Sequence, residues 1–217
     1  MLTQVLPEAF LIGVLASTLR TASPLLLAAL GEVYAEHSGV MNIGLEGGML
    51  VGCLAGFLAA FYLHSIWAGV VISALAGGAI ALILAVMCIT LRANQVVTGV
   101  TINLLCVGLT TFVYRALFGV SIVAPSVETV KEVSLPALSG IPFLGPVLFQ
   151  QKPFVYGALL AAVLAYIVLY KTTIGLQVRA VGENPTAAET MGVSIYKTRY
   201  LCVVFSGMMA GVAGAIL

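Results

Sequence analysis

Few side chains in this sequence could do chemistry, and those that could are amides and isolated carboxylates. Asn42, Glu46, Asn94, Gln95 and Asn103 lie in or beside long apolar runs. In a low-dielectric setting such groups hydrogen-bond strongly, either to a polar solute or to a neighbouring helix. Glu46 follows Asn42 closely enough to stand in the first turn of a helix, where the positive dipole end stabilises a carboxylate. Helix-start stabilisation and contact with a solute or gate are both open for it. Asn103 shares a helical face with Gly99, Cys106 and Thr110, while Asn94, Thr98 and Thr101 share another. For Asn103 the alternative to solute contact is a helix–helix hydrogen bond. Serines are scattered without a nucleophile elbow, and the acids do not share a face with a base, so bond-making chemistry is not expected. There is no Gly-Lys pair anywhere, hence no Walker-type loop for ATP phosphates.

These groups must be positioned by membrane-spanning helices. The chain has 217 residues, 61% of them apolar and 8% charged, against about 25% charged in soluble domains. It contains no Asp, and a net charge of +1 provides no electrostatic case for nucleic acid. The start lacks Lys and Arg before its apolar run, so a cleaved signal is not expected. Cys53, Cys88, Cys106 and Cys202 lie singly in separate apolar runs without metal-ligand spacing and read as buried small hydrophobes. His37 and His64 are expected in solvated loops.

A span needs about 20 apolar residues. On that measure, spans are expected near 9–31, 44–62, 67–90, 94–114, 153–170 and 200–217. Residues 9–31 read as one irregular span kinked at Pro24, in which a mid-membrane Arg20 would cost roughly 2.5–3.5 kcal/mol unless it faces protein or snorkels. "YLHSIW" (62–67) is the turn between the second and third spans. Residues 119–152 form an outer loop, whose Pro-rich part at 136–146 suits a short interfacial or re-entrant piece. Residues 171–199 form an inner loop carrying Lys171, Arg179, Lys197 and Arg199, with Arg92 on the same side by the positive-inside rule. The last run stops at Leu217 without a flanking charge or aromatic anchor, from which a chain truncated at its C-terminus is expected. Gly44, Gly48, Gly52 and Gly56 recur every fourth residue as overlapping GxxxG units, which permit close helix packing or a moving interface. The fold class is all-α, a polytopic transmembrane helical bundle in one domain over 1–217.

The inner loop holds a polar stretch, "GENPTAAETMGVSIYKTR" (182–199). Asn184 is a favoured N-cap and Pro185 sits at N1, where its missing N–H costs nothing. Ala187, Ala188 and Met191 supply helix propensity and a small apolar face, and Gly192 is placed to end the helix in left-handed geometry. The spacing predicts a helix over 185–191, too short to be stable alone in water. A partner surface that holds it is one reading; an interfacial helix lying on the membrane is the other.

"RAVGENPTAAETMGVSIYKTR" resembles the cytoplasmic coupling segment of ABC-importer permeases of the group handling branched-chain amino acids, simple sugars and nucleosides. "RTASPLLLAALGEVYAEHSGVMNIGLEGGMLVG" (20–52) and "LRANQVVTGVTINLLCVGLTTFVY" (91–114) are similar to its nucleoside and simple-sugar members. The resemblance implies a permease subunit in the cytoplasmic (inner) membrane. It implies ABC ATPase subunits that bind ATP and Mg, a second permease subunit and an extracytoplasmic substrate-binding protein as partners, with no cofactor on this chain. It places ATPase coupling at Glu183, Asn184, Pro185, Ala187, Ala188, Met191 and Gly192. Asn42, Glu46, Asn94, Gln95 and Asn103 would then lie along the substrate path, amides suiting ribose and base edges. The rival classes are an ion-coupled secondary transporter or channel, whose sign would be charges deep in several spans, and a truncated membrane scaffold.

Overall fold

The computed structural model describes residues 8–119, 130, 133–134, 147–148 and 150–217. Its helices are α1 (Glu8–His37), α2 (Leu45–Leu63), α3 (Ile66–Ala85), α4 (Gln95–Phe118), α5 (Pro153–Lys171), α6 (Thr173–Glu183), α7 (Pro185–Thr190) and α8 (Ile195–Ile216). A π turn, Val86–Thr90, prolongs α3. Strand β1 (Val133–Ser134) pairs antiparallel with β2 (Gln150–Gln151). Six of these helices are long and apolar enough to cross a membrane. The all-α bundle expected from the hydropathy pattern is what forms.

Helix α8 sits at the centre, packed on α1, α2 and α3, with α4 outside α2 and α5 outside α1. Glycine makes this possible. A Cβ built at Gly52 would stand 2.5 Å from the Gly211 backbone. One at Gly77 would collide with the Gly207 carbonyl, one at Gly211 with Ser73 O, and one at Gly214 with Met49 O. Backbones of α2, α3 and α8 therefore touch directly, which maximises dispersion contact where lipid offers no hydrophobic drive for association. The four glycines at 44–56 do not form one uniform stripe. Gly52 and Gly56 face α8, Gly48 has ordinary clearance from Ala210, and Gly44 lies instead against Leu84 and Ile102 as the N-cap of α2.

Helix α1 is a single element of 30 residues, about 45 Å long at 1.5 Å per residue, and runs on to His37 rather than stopping near 31. Pro24 removes the N–H that would bond the Arg20 carbonyl, and Ser23 Oγ donates to that carbonyl at 3.0 Å instead. The orphaned acceptor is thus satisfied inside the helix. Arg20 faces protein: its Nε donates to Gln151 Oε1 at 2.9 Å, and the fully buried Gln151 donates from Nε2 to Val147 O at 2.8 Å. Because Gln151 lies just before α5, Arg20 stands at the level where that span begins rather than at mid-membrane.

Aromatic groups mark the same end. Trp67 meets Phe154 with ring centroids 6.0 Å apart, and Phe118 meets both Phe57 and Phe61. Exposed Tyr62 and Trp67 flank the 62–67 turn, where His64 closes α2 in left-handed conformation. The expected re-entrant piece at 136–146 lies outside the described residues.

Three readings of the sequence need correction. His37 ends α1 rather than lying in a loop. Cys53 is exposed, whereas Cys88, Cys106 and Cys202 are buried. The span expected to start at 200 starts at Ile195, because Ile195–Arg199 continues α8 toward the basic end.

Replacing Gly211 by Val forces the α3 and α8 backbones apart, so a loss of about 1–3 kcal/mol or more is expected. Gly108→Ala, where a Cβ meets nothing within 4 Å, is expected to be neutral. Thermal unfolding of the detergent-solubilised protein distinguishes the two.

Candidate functional site

Between α1 and α2 the chain turns through residues 38–44; Ser38, Gly39 and Val40 bond back onto the end of α1 through their N–H groups, whereas Met41 and Asn42 take side-chain acceptors. Backbone polar groups left without partners are costly where water is excluded, and here side chains from α1, α4 and α8 supply partners. The Asn42 N–H donates to Glu32 Oε1 at 2.8 Å, and Ser206 Oγ donates to Glu32 Oε2 at 3.2 Å. Asn42 Nδ2 donates to Ser206 Oγ at 3.0 Å, closing a ring of three residues from α1, the corner and α8. Asn42 and Ser206 are both buried. Arg199 Nε donates to Ser38 O at 3.1 Å, and Ser38 Oγ to Ala35 O at 2.7 Å.

On the other side stands α4. Asn94 caps it, accepting from the Val96 and Val97 N–H groups. Gln95 Oε1 accepts from Met41 N at 2.9 Å. Asn103 binds twice: Nδ2 donates to Ile43 O at 3.0 Å and Oδ1 accepts from Gly47 N at 2.8 Å. So of the five residues offered above to a passing solute, the structure gathers Asn42, Gln95 and Asn103 around the corner, each with at least one side-chain hydrogen bond to the chain. Glu46 is exposed on the first turn of α2, beside the positive dipole end.

Glu32, Ser206 and Arg199 were not singled out from the sequence. Glu32 would have been found by carrying the helical period of α1 past residue 31, which turns it from a loop acid into one on a membrane helix. Ser206 and Arg199 carried no comparable signal, since only the crossing of α8 over the corner brings them there.

The 171–199 segment forms two helices rather than one. Helix α6 was not foreseen because Gly175 and Gly182 weaken its propensity. Both are needed for contact: a Cβ at Gly175 would meet the Leu169 and Val168 carbonyls, and one at Gly182 would meet His37 O. Arg179 lies over the Tyr170 ring, 5.1 Å from its centroid, and His37 packs edge-on to the same ring. Tyr34 OH donates to Ala165 O at 2.8 Å, tying α1 to α5 beneath them.

Helix α7 has the termini expected of it. Asn184 Oδ1 accepts from Ala187 N at 3.1 Å with Pro185 at the first position. At the other end Gly192 adopts φ +84°. Val193 N bonds Ala188 O at 3.1 Å and Gly192 N bonds Glu189 O at 2.9 Å, the paired bonds of a Schellman ending. Ala188 points inward at 4% exposure, while Glu183, Asn184, Ala187 and Gly192 are exposed and Met191 is 83% exposed. Glu183, at the end of α6, and Ala187 and Met191, four apart on α7 and its C-cap, are all exposed.

The corner, the 91–95 turn and the α6–α7 segment share one end of the bundle. Met41 to Gln95, Ser38 to Arg199 and a 2.5 Å hydrogen bond between Thr90 Oγ1 and Tyr200 OH join them. An apolar groove of about 410 Å³ between α1, α5, α6 and α8, lined by Leu30, Ala165 and Phe205 among others, offers little to a polar solute.

Glu32→Ala strands the buried Asn42 N–H and removes the acceptor of Ser206, so a stability loss of about 1–3 kcal/mol is expected. Glu32→Gln keeps a carbonyl acceptor and recovers part of it. Unfolding midpoints of the two variants in detergent check the order.

Residues 14–217 match the family model described as branched-chain amino acid transport system / permease component. The putative glucose ABC transporter permease protein TsgC13 of Haloferax volcanii is 41% identical over 212 residues, covering 96% of this chain and 63% of that protein. The guanosine ABC transporter permease protein NupQ of Bacillus subtilis is 39% identical, over 92% of this chain and 65% of its own. The nucleoside ABC transporter permease protein NupC of Lactococcus lactis is 33% identical, over 94% and 66%. The chain thus spans a little under two thirds of the length of these relatives. No solved structure matches it significantly. With six span-length helices and a family match over nearly its whole length, the chain belongs to the branched-chain amino acid transport permease family and is a multi-pass membrane protein.

Proposed function

We propose that this chain is a membrane-spanning subunit of an ATP-driven importer that moves nucleosides or related simple sugars across the cytoplasmic membrane. The observation that carries the reading is α7. A six-residue helix is unstable alone, yet this one is capped at both ends, anchored by a buried Ala188, and presents Glu183, Ala187 and Met191 outward. A rigid, exposed segment at the end of the bundle suits docking into a groove on a partner. The ATPase-coupling role falls to the exposed members of the set, with Asn184, Pro185, Ala188 and Gly192 holding them in place.

The partners in this reading are ATPase subunits that bind ATP and Mg, a second permease subunit, alike or different, and an extracytoplasmic substrate-binding protein. This chain would have no ATPase activity of its own. The names of the relatives support nucleosides or glucose as the substrate class. Glu46, exposed and outside the hydrogen bonds that hold the corner, is the member of the amide and carboxylate set best placed to meet a solute.

Pull-down of the complete protein from detergent tests the docking. Ala187→Arg or Met191→Glu is expected to abolish recovery of the ATPase with no loss of thermal stability. Ala188→Glu buries an unpaired charge and is expected to destabilise the chain itself. Recovery of the ATPase with Ala187→Arg at the wild-type level would sink the coupling role.

A further inference from the structure

Helices α6 and α7 pack on α1, α5 and α8, whereas α4 packs on α2 and on α3 with its π turn. The corner at 38–44 lies between the two groups and is held by both. On the α6–α8 side, Arg199 Nε bonds Ser38 O, the Gly182 backbone sits on His37 O, and Gly39, at φ +85°, lies beside Gly182 and the Arg199 guanidinium. On the α4 side, Gln95 bonds Met41 N, Asn103 bridges Ile43 O and Gly47 N, and Gly99 lies so close to Ile43 that a Cβ there would stand 2.6 Å from Ile43 Cβ.

Other links from α8 toward α4 are the glycine contacts with α2 and α3, the apolar cluster in which Val203 packs with Leu84, Ile102 and Cys106, and the Thr90–Tyr200 hydrogen bond, which ends on the π turn of α3 and not on α4 itself. Apolar contact of this kind holds the helices together but is non-directional. Hydrogen bonds at the corner have fixed directions. We propose that the 38–44 corner is the element that makes α4 follow α6 and α7, with Gln95 and Asn103 as positioning residues for the transport cycle. The proposal rests on the reading of α7 as the ATPase dock. Displacing α7 moves Arg199 and Gly182, these carry Ser38 and Gly39, and Met41 and Ile43 then pull on the inner half of α4.

The test uses the whole transporter with its ATPase in lipid vesicles. A nitroxide is placed at Leu104→Cys, on the exposed face of α4, after replacement of the native cysteines. Hydrolysis and the change in the nitroxide spectrum on adding ATP and Mg are recorded together, so no solute need be known. The wild type is expected to hydrolyse ATP and shift the spectrum. Gln95→Leu and Asn103→Leu are expected to retain the bound ATPase and its hydrolysis while reducing the spectral shift about fivefold or more, the low end of coupling free energies between sites. Gln95→Glu keeps an acceptor for Met41 N and is expected to restore the shift, which loss of packing alone would not produce. Should Asn103→Leu not insert, Gln95→Leu, at the partly exposed start of α4, reads the same quantity. A spectral shift unchanged in Gln95→Leu, or absent in a wild type that hydrolyses ATP, overturns the link alone. A wild type that retains no ATPase overturns the docking reading, and the link with it.

Discussion

Everything in this bundle depends on how closely α8 approaches its neighbours. Burial of apolar surface does not drive helices together in a bilayer, so association relies on short-range contact and hydrogen bonding. Gly52, Gly77, Gly207, Gly211 and Gly214 let three backbones meet with no side chain between them. The same approach seats α8 against α1, where Gly31 leaves a Cβ no room beside Met209 and Ser206. That places the Ser206 hydroxyl where it can reach both Glu32 and Asn42.

The corner is the complement of this smooth core. Backbone polar groups away from water need partners, and residues 38–44 draw side-chain partners from α1, α4 and α8. Asn42, Gln95 and Asn103, amides of a type that also suits a polar solute, hydrogen-bond within the chain at this corner. Amides suit this work because each has both a donor and an acceptor: Asn103 binds a carbonyl and an N–H at once. The core is held by close apolar contact and the corner by directed bonds.

The α6–α7 segment adds a third kind of surface. Its inward residues, Gly175, Val178, Val181 and Ala188, fasten it to the bundle, and its outward residues are left without cover. A segment so firmly attached moves with the helices beneath it.

Much of this was legible in the residues themselves. Hydropathy and length decide that helices span a membrane, since no other backbone form suits the 66–90 or 95–118 runs. The Asn-Pro start and Gly192 end of α7 are local chemistry, and they read correctly because capping involves only neighbours in sequence. Three things required the tertiary structure. Arg20 reads as a costly mid-span charge until Gln151, distant in sequence, is brought beside it. Helix α6 reads as loop because its glycines answer to the carbonyls of other segments. For Asn42, Gln95 and Asn103 an amide's type says that it will hydrogen-bond, to a solute or to a helix, and only packing brings the intrachain partners within reach. The sequence by itself determined the elements, whose causes are short-range; the tertiary structure decided the partners of each polar group, because those partners come from far along the chain.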